Sequence, residues 1–256
     1  MPFAGLGLHV ILALICAVHA IRTRQNMYWL FILFGFPLLG SLAYAFAIYL
    51  PNSSLERGAM KAVSKAARAL DPLREVRDAR AAFEDTPTAQ NQMRLASALL
   101  ETGDSQAAAQ QYMACLNGPY AQDVEIRFGA AKAFVECQRF QDALTFLNAL
   151  RQERPDFRPE AVSLLLARAL GGAGHATEER REFENAIERF GTFEAKAEYA
   201  IWAYATGDSP TSERLHKDLL KIRSRWNALT LELNEPVVRR LDAARALATR
   251  QDERAR

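Results

Sequence analysis

Four polar breaks at near-equal spacing limit what this chain can fold into. In "QMRLASALLETGDSQAAAQQYMACL", "RFGAAKAFVECQRFQDALTFLNALRQERP", "LLLARALGGAGHATEERREFENAIERF" and "EYAIWAYATGDSPTSERLHKDLL", a helical pattern of apolar and small residues ends at a break and a second amphipathic pattern follows. Aligned on Gly103, Gln138, Gly174 and Gly207, the breaks lie 35, 36 and 33 residues apart. A helix pair of that length cannot bury its apolar faces alone, so neighbouring pairs must stack into a continuous core and the two ends must be covered. Residues 71–85, "DPLREVRDARAAFED", supply a helix able to cover the first pair. Val237, Val238, Leu241, Ala244 and Leu247 give a last helix the apolar face to cover the fourth. The terminal "TRQDERAR" has no such face and is expected to fray.

Within the copies, small residues recur where paired helices approach, and larger apolar ones where the next pair packs. The second copy carries Ala131, Phe134, Ala143, Leu147, Leu150 and Pro155 in this pattern, and the first carries Leu95, Ala96, Ala108 and Tyr112. The third puts Glu179 at a small-residue position, and the fourth puts Ser212 and His216 at a small and an aromatic one. Period and pattern resemble the tetratricopeptide repeat across residues 89–226, clearly in the middle and divergently at the end. That resemblance implies an α-solenoid whose first helices line a groove for a protein or peptide. Its ninth position in each copy maps to Ser97, Lys132, Arg168 and Ile201, and Met93, Phe128 and Tyr204 are placed to supply apolar contacts. Lys132 and Arg168 in neighbouring copies suit an acidic partner segment, through charge-assisted hydrogen bonds to carboxylates. The plainer alternative is that both pair with the chain's many glutamates on a solvated surface.

The first 50 residues are of another kind. Pro2 to Ile21 is a run of 20 residues without a formal charge, Gln25 to Leu50 is one of 26, and only Arg22 and Arg24 between them are charged. About 20 helical residues cross the hydrocarbon layer of a bilayer. The pattern therefore predicts a transmembrane helical hairpin with a tight turn at residues 22–26. No Lys or Arg precedes the first run and the second is too long for a signal core, which speaks against a cleaved leader. Pro37 predicts a kink packed on the first helix, with Gly35 and Gly40 permitting the close approach. His9 and His19 lie near the ends of the first run and read as interfacial groups rather than a proton path. The stretch "MYWLFILFGFPLLGSLAYAF" resembles the two-span N-terminal segment of cardiolipin synthases and related phospholipase D proteins. In that family catalysis rests on later His-x-Lys-x4-Asp motifs. Here His175 is followed by Ala-Thr-Glu, and His216-Lys217-Asp218 has the right letters at the wrong spacing, so the resemblance implies an anchor and not the reaction.

After the hairpin, "PNSSLERGAMKAVSKAARALDP" opens on a capping-box pattern, Ser53 with Glu56, and places Arg57, Lys61, Lys65 and Arg68 on one helical stripe. This basic collar is expected to contact anionic lipid headgroups, at about 1 kcal/mol per cation near the surface; the alternative is an ordinary solvated face. Four cations here against two in the turn put the collar and the main domain on the cytoplasmic side of a bacterial inner membrane.

Arg22 and Arg24 account for the formal net charge of +2, so the chain beyond residue 50 is neutral and carries no dedicated nucleic-acid face. Cys16, Cys115 and Cys137 read as small buried hydrophobes, and the scattered histidines offer no metal-ligand cluster, so no metal or cofactor is expected. There is no Gly-rich phosphate loop, Ser-His-Asp arrangement or zinc helix, and the chain is not expected to be an enzyme. Residues 86–210 hold 12 basic and 17 acidic side chains and 211–256 hold 11 and 7, an asymmetry that allows a homo-oligomer by head-to-tail contact.

The sequence thus describes an all-α chain. Residues 1–50 form two transmembrane helices, 51–85 a basic juxtamembrane helix and N-terminal cap, 86–226 about four tetratricopeptide-like repeats, and 227–256 a capping helix and tail. The expected role is a membrane-anchored scaffold that recruits a protein partner. The alternatives are a component of phospholipid metabolism, or a membrane-surface protein that self-assembles.

Overall fold

The computed structural model describes the backbone of residues 4–22, 26, 28–44 and 71–255, which form helices and turns with no strand among them. The basic collar of Arg57, Lys61, Lys65 and Arg68 lies outside the described residues. The chain divides into two compact units, residues 1–74 and 75–256.

The N-terminal unit corrects the expected hairpin. Helix α1 spans Ala4–Arg22, but the described part of the second apolar run is two helices of 8 residues, α2 (Tyr28–Gly35) and α3 (Pro37–Tyr44). The residue before a proline is pushed out of the helical region, and proline itself is favoured at a helix's first position, so the chain breaks at Phe36 and restarts at Pro37. Gly40 then serves a contact other than the expected one. A Cβ there would meet the Ile32 carbonyl and the Leu33 backbone of α2, whereas Gly35 faces open space. The glycine serves the approach of α3 to α2, while α3 packs on α1 through other residues. Among the described residues no helix is long and apolar enough to cross a membrane. Ala17, Ala20, Leu33 and Tyr44 form a small buried cluster, and the Tyr44 hydroxyl lies 2.9 Å from His19 Nδ1. Around it Ile15, Phe31, Phe34, Phe36 and Leu39 are exposed, Phe31 by 79%.

The second unit is the predicted array. Its helices are α4 (Arg74–Asp85), α5 (Ala89–Glu101), α6 (Ser105–Cys115), α7 (Val124–Glu136), α8 (Phe140–Glu153), α9 (Pro159–Gly172), α10 (Ala176–Phe190), α11 (Phe193–Thr206), α12 (Ser209–Arg223), α13 (Ala228–Leu233) and α14 (Glu235–Ala255). The pairs α5/α6, α7/α8, α9/α10 and α11/α12 are the four copies, and each second helix packs on the first helix of the next. All four breaks close in one way. Gly103, Gln138, Gly174 and Gly207 have φ of 88°, 61°, 84° and 74°. The following N–H donates to a carbonyl on the last turn of the preceding helix: Asp104 to Leu99 (2.9 Å), Arg139 to Phe134 (2.8 Å), His175 to Leu170 (2.9 Å) and Asp208 to Ala203 (2.9 Å). This left-handed helix end satisfies carbonyls that the helix itself leaves open.

Gln138 alone among the four has a side chain to strain. The left-handed conformation costs a non-glycine residue about 1–2 kcal/mol, and glycine's extra freedom in the unfolded chain takes back about 0.4–1. Gln138→Gly is thus expected to stabilise the unit by about 1 kcal/mol, read as a higher urea midpoint.

The core follows the sequence pattern. Leu95, Ala96, Ala108, Ala131, Phe134, Ala143, Leu147 and Leu150 are buried in one cluster, and α9 joins it to a second by presenting Leu166 and Ala169 to one and Leu164 and Ala167 to the other. Burying these side chains is what makes the stacked copies stable where one alone would not be. The divergent third copy is accommodated from the partner helix. A Cβ on Gly171 would collide with the Glu179 carboxylate, so the small residue has moved from α10 to α9. Burial pushes the Glu179 carboxyl above its ordinary pKa. The folded state therefore binds that proton more tightly than the unfolded one, and ionisation costs stability above the raised pKa. Glu179→Gln is expected to raise the urea midpoint at neutral pH, a gain that shrinks as pH falls through that pKa and vanishes below the ordinary glutamate range.

Both caps are present, with two differences from expectation. Val76 and Ala79 of α4 join the first cluster, and Asn91 donates to the carbonyls of Ala82 (3.1 Å) and Thr86 (2.8 Å). At the other end Val238 and Leu241 of α14 are buried against α11. Leu247, however, is exposed, so the covering face of α14 stops short of it. The tail expected to fray is helical to Ala255, with Arg250, Gln251 and Glu253 exposed along it.

Candidate functional site

The first helices of three successive copies, α7, α9 and α11, together with α14, enclose a cleft of about 150 Å3. Phe128 and Lys132 enter it from α7, Leu164, Leu165 and Arg168 from α9, Glu194 and Glu198 from α11, and Arg240 from α14. The helical period sets this: Phe128 and Lys132 are four residues apart, as are Leu164 and Arg168, and Glu194 and Glu198, so each helix offers two neighbours on one face.

The charges are divided by helix. Lys132 is exposed and forms no ion pair among the described residues, while Arg168 donates to Glu136 of the preceding copy at 2.8 Å. Both members of that pair are about half exposed, so it holds Arg168 only weakly, at about 0–1 kcal/mol. On the α11 side Glu198 is buried and accepts from Arg240, which ties α14 into the wall. Burial pushes the Glu194 carboxyl up, and Glu160 and Glu198 add to the effect while Arg240 opposes it. Glu160 accepts a hydrogen bond from the Thr192 hydroxyl at the start of α11. The cleft therefore has a cationic wall at Lys132 and Arg168 and an anionic wall at Glu194. Among the described residues no group of three or more His, Cys, Asp or Glu is placed to hold a metal ion.

Of the seven groove residues read from sequence, three converge here, Phe128, Lys132 and Arg168, while Ile201 packs against the second core cluster. Phe128 is 8% exposed, its ring edge-on to Phe157 at 5.9 Å, so it is chiefly core and only the floor of the cleft. Met93 packs against the first core cluster, and the Ser97 hydroxyl lies 2.9 Å from the Tyr112 hydroxyl. Tyr204 lines a different pocket, at the α11–α12 turn. Glu194, Glu198 and Arg240 were missed by sequence reasoning. Glu198 carried a signal, being a carboxylate between Ala197 and Tyr199 in a stretch of otherwise apolar residues. Arg240 carried none, because only the docking of α14 brings it there.

No protein-family model matches this chain, and no curated protein matches it. Among solved structures, one described as "MamA RS-1 ArsTM double mutant" is similar, with 12% sequence identity and a TM-score of 0.50 over 69% of this chain and 98% of that one. At that identity the likeness speaks to the fold, and the fold it supports is a solenoid-like array of helix pairs of the tetratricopeptide kind.

Proposed function

We propose that this chain is a membrane-anchored scaffold whose repeat array holds a segment of a protein partner in the cleft between α7, α9, α11 and α14. The observation that carries the reading is the cleft, because successive copies place on one surface a cation with no ion pair among the described residues, a weakly held one and an apolar floor. A fitting segment carries an acidic residue opposite Lys132 and Arg168 and a basic or amide one opposite Glu194. Charges arranged this way select and orient a partner more than they add raw affinity.

The anchor is the N-terminal unit. Its exposed Ile15, Phe31, Phe34, Phe36 and Leu39 surround a very small core, and large apolar side chains left outside so small a core support a membrane or protein contact. The collar's four cations suit the anionic cytoplasmic leaflet of a bacterial inner membrane, which supports an array on the cytoplasmic side.

Two experiments test the two halves separately. A partner isolated from detergent-solubilised membranes is expected to bind the parent chain and a Glu178→Lys control equally. It should bind Lys132→Glu/Arg168→Glu at least about tenfold more weakly, a loss of about 1.4 kcal/mol or more; equal binding would end the cleft reading. Alkaline carbonate extraction is expected to leave the chain in the membrane pellet, and its release would end the anchor reading alone.

A further inference from the structure

Outside the cleft, the α11–α12 turn and the C-terminal half of α14 enclose a larger pocket, of about 300 Å3. It lies where a further helix pair would pack if the array continued. The fourth copy has His216 at the position that the repeat pattern gives to a space-filling aromatic. Leu247 of α14 is exposed and does not fill the gap.

The lining has a defined chemistry. His216 Nδ1 is buried without a hydrogen-bond partner. The tautomer with its proton on Nε2 leaves no buried N–H orphaned at Nδ1. Burial pushes the His216 imidazole below its ordinary pKa, with Arg245 and Arg223 reinforcing the effect and Asp242 opposing it. Asp242 itself pairs with Arg223 at 3.4 Å. Lys217 and Arg245 line the pocket and neither forms an ion pair among the described residues. The hydroxyls of Ser212 and Thr249 already donate to the carbonyls of Ser209 and Arg245, each at 3.1 Å, whereas no such bond engages the Tyr204 hydroxyl among the described residues. Glu213 is the one carboxylate in the lining.

We infer that this pocket is a carboxylate-binding site, in which Lys217 and Arg245 supply the charge while the His216 Nε2–H and the Tyr204 hydroxyl supply directional hydrogen bonds. Two cations against Glu213 leave one positive charge, which matches a single carboxylate and disfavours a phosphate dianion. Guanidinium and carboxylate geometries also match. The source is either a free small carboxylate or an acidic side chain of a protein, and the shared group is what the pocket reads. The site is separate from the cleft and stands if the cleft reading fails.

The test uses the full chain in detergent with 15N-labelled histidine, the His216 signal being assigned by His216→Gln. N-acetylglutamate, a short peptide with one central glutamate, and inorganic phosphate are titrated to about 50 mM, a range that detects millimolar affinity. A saturable shift of the His216 Nε2 signal with either carboxylate is expected, weakened at least tenfold in Arg245→Gln and unchanged in Arg181→Gln. A preference for the peptide assigns the site to a protein carboxylate, and equal binding or a preference for the free acid assigns it to a small molecule. No shift, a shift equally strong with phosphate, or one insensitive to Arg245→Gln would overturn the inference.

Discussion

Phe134→Ala is expected to cost the repeat unit about 3–5 kcal/mol, the range for deleting a fully buried phenylalanine. Phe134 is 1% exposed, its ring 5.7 Å from that of Phe146 and covered by the Arg139 guanidinium at 4.5 Å. It sits on α7 inside the cluster that joins the first three copies. Its carbonyl also closes the left-handed turn at Gln138 by accepting from Arg139. In an array stabilised by contacts between neighbours, a cavity in the second copy weakens both interfaces that copy makes. The loss is large beside the ~5–15 kcal/mol stability of ordinary domains. Urea unfolding followed by circular dichroism should show a much lower midpoint and a broader transition. A loss of less than about 1 kcal/mol would mean that the copies do not share this core.

Gly129→Ala pits two effects against each other, and their sizes decide the sign. In a helix interior alanine is favoured over glycine by about 0.8–1 kcal/mol. Gly129 is buried in α7, however, and a Cβ there would overlap the ring of Tyr112 on α6. That ring has little freedom to move, because Tyr112 is buried and its hydroxyl is hydrogen-bonded to Ser97 at 2.9 Å. Overpacking a tight core costs about 1–3 kcal/mol, so the variant is expected to be net destabilised by up to about 2 kcal/mol. Tyr112→Phe/Gly129→Ala should recover part of the loss, since it frees the ring from Ser97. A Gly129→Ala variant more stable than the parent would show that α6 and α7 are not in this contact.

How far the sequence disclosed this molecule differs between its two units. In the array the period, the breaks and the small and large core positions were all legible, because each is imposed locally and repeated. The left-handed turn at Gln138 shows the strength of the repeat: the residue there is not glycine, yet alignment placed it correctly. At Glu179 the pattern looked broken, and the compensation lay eight positions earlier at Gly171, on the partner helix. In the N-terminal unit the apolar run was legible and its break was not. Pro37 was read as a kink within a span, whereas the restriction it places on Phe36 divides the run into α2 and α3. The candidate cleft was half legible. Lys132 and Arg168 follow from position within the repeat, whereas Glu194 and Arg240 depend on how α11 and α14 pack, which no single helix records.

The central claim is that the first-helix cleft is the surface on which this chain holds a protein partner. Site-specific photo-crosslinking in intact cells tests it most directly, with p-benzoylphenylalanine placed in turn at Lys132, Arg168 and Glu194 within the cleft, and at Gln141 and Glu178 on exposed second-helix positions. The account predicts one shared protein adduct from the three cleft positions and none from the other two. Adducts of the same partner from Gln141 and Glu178, with none from the cleft, would contradict it.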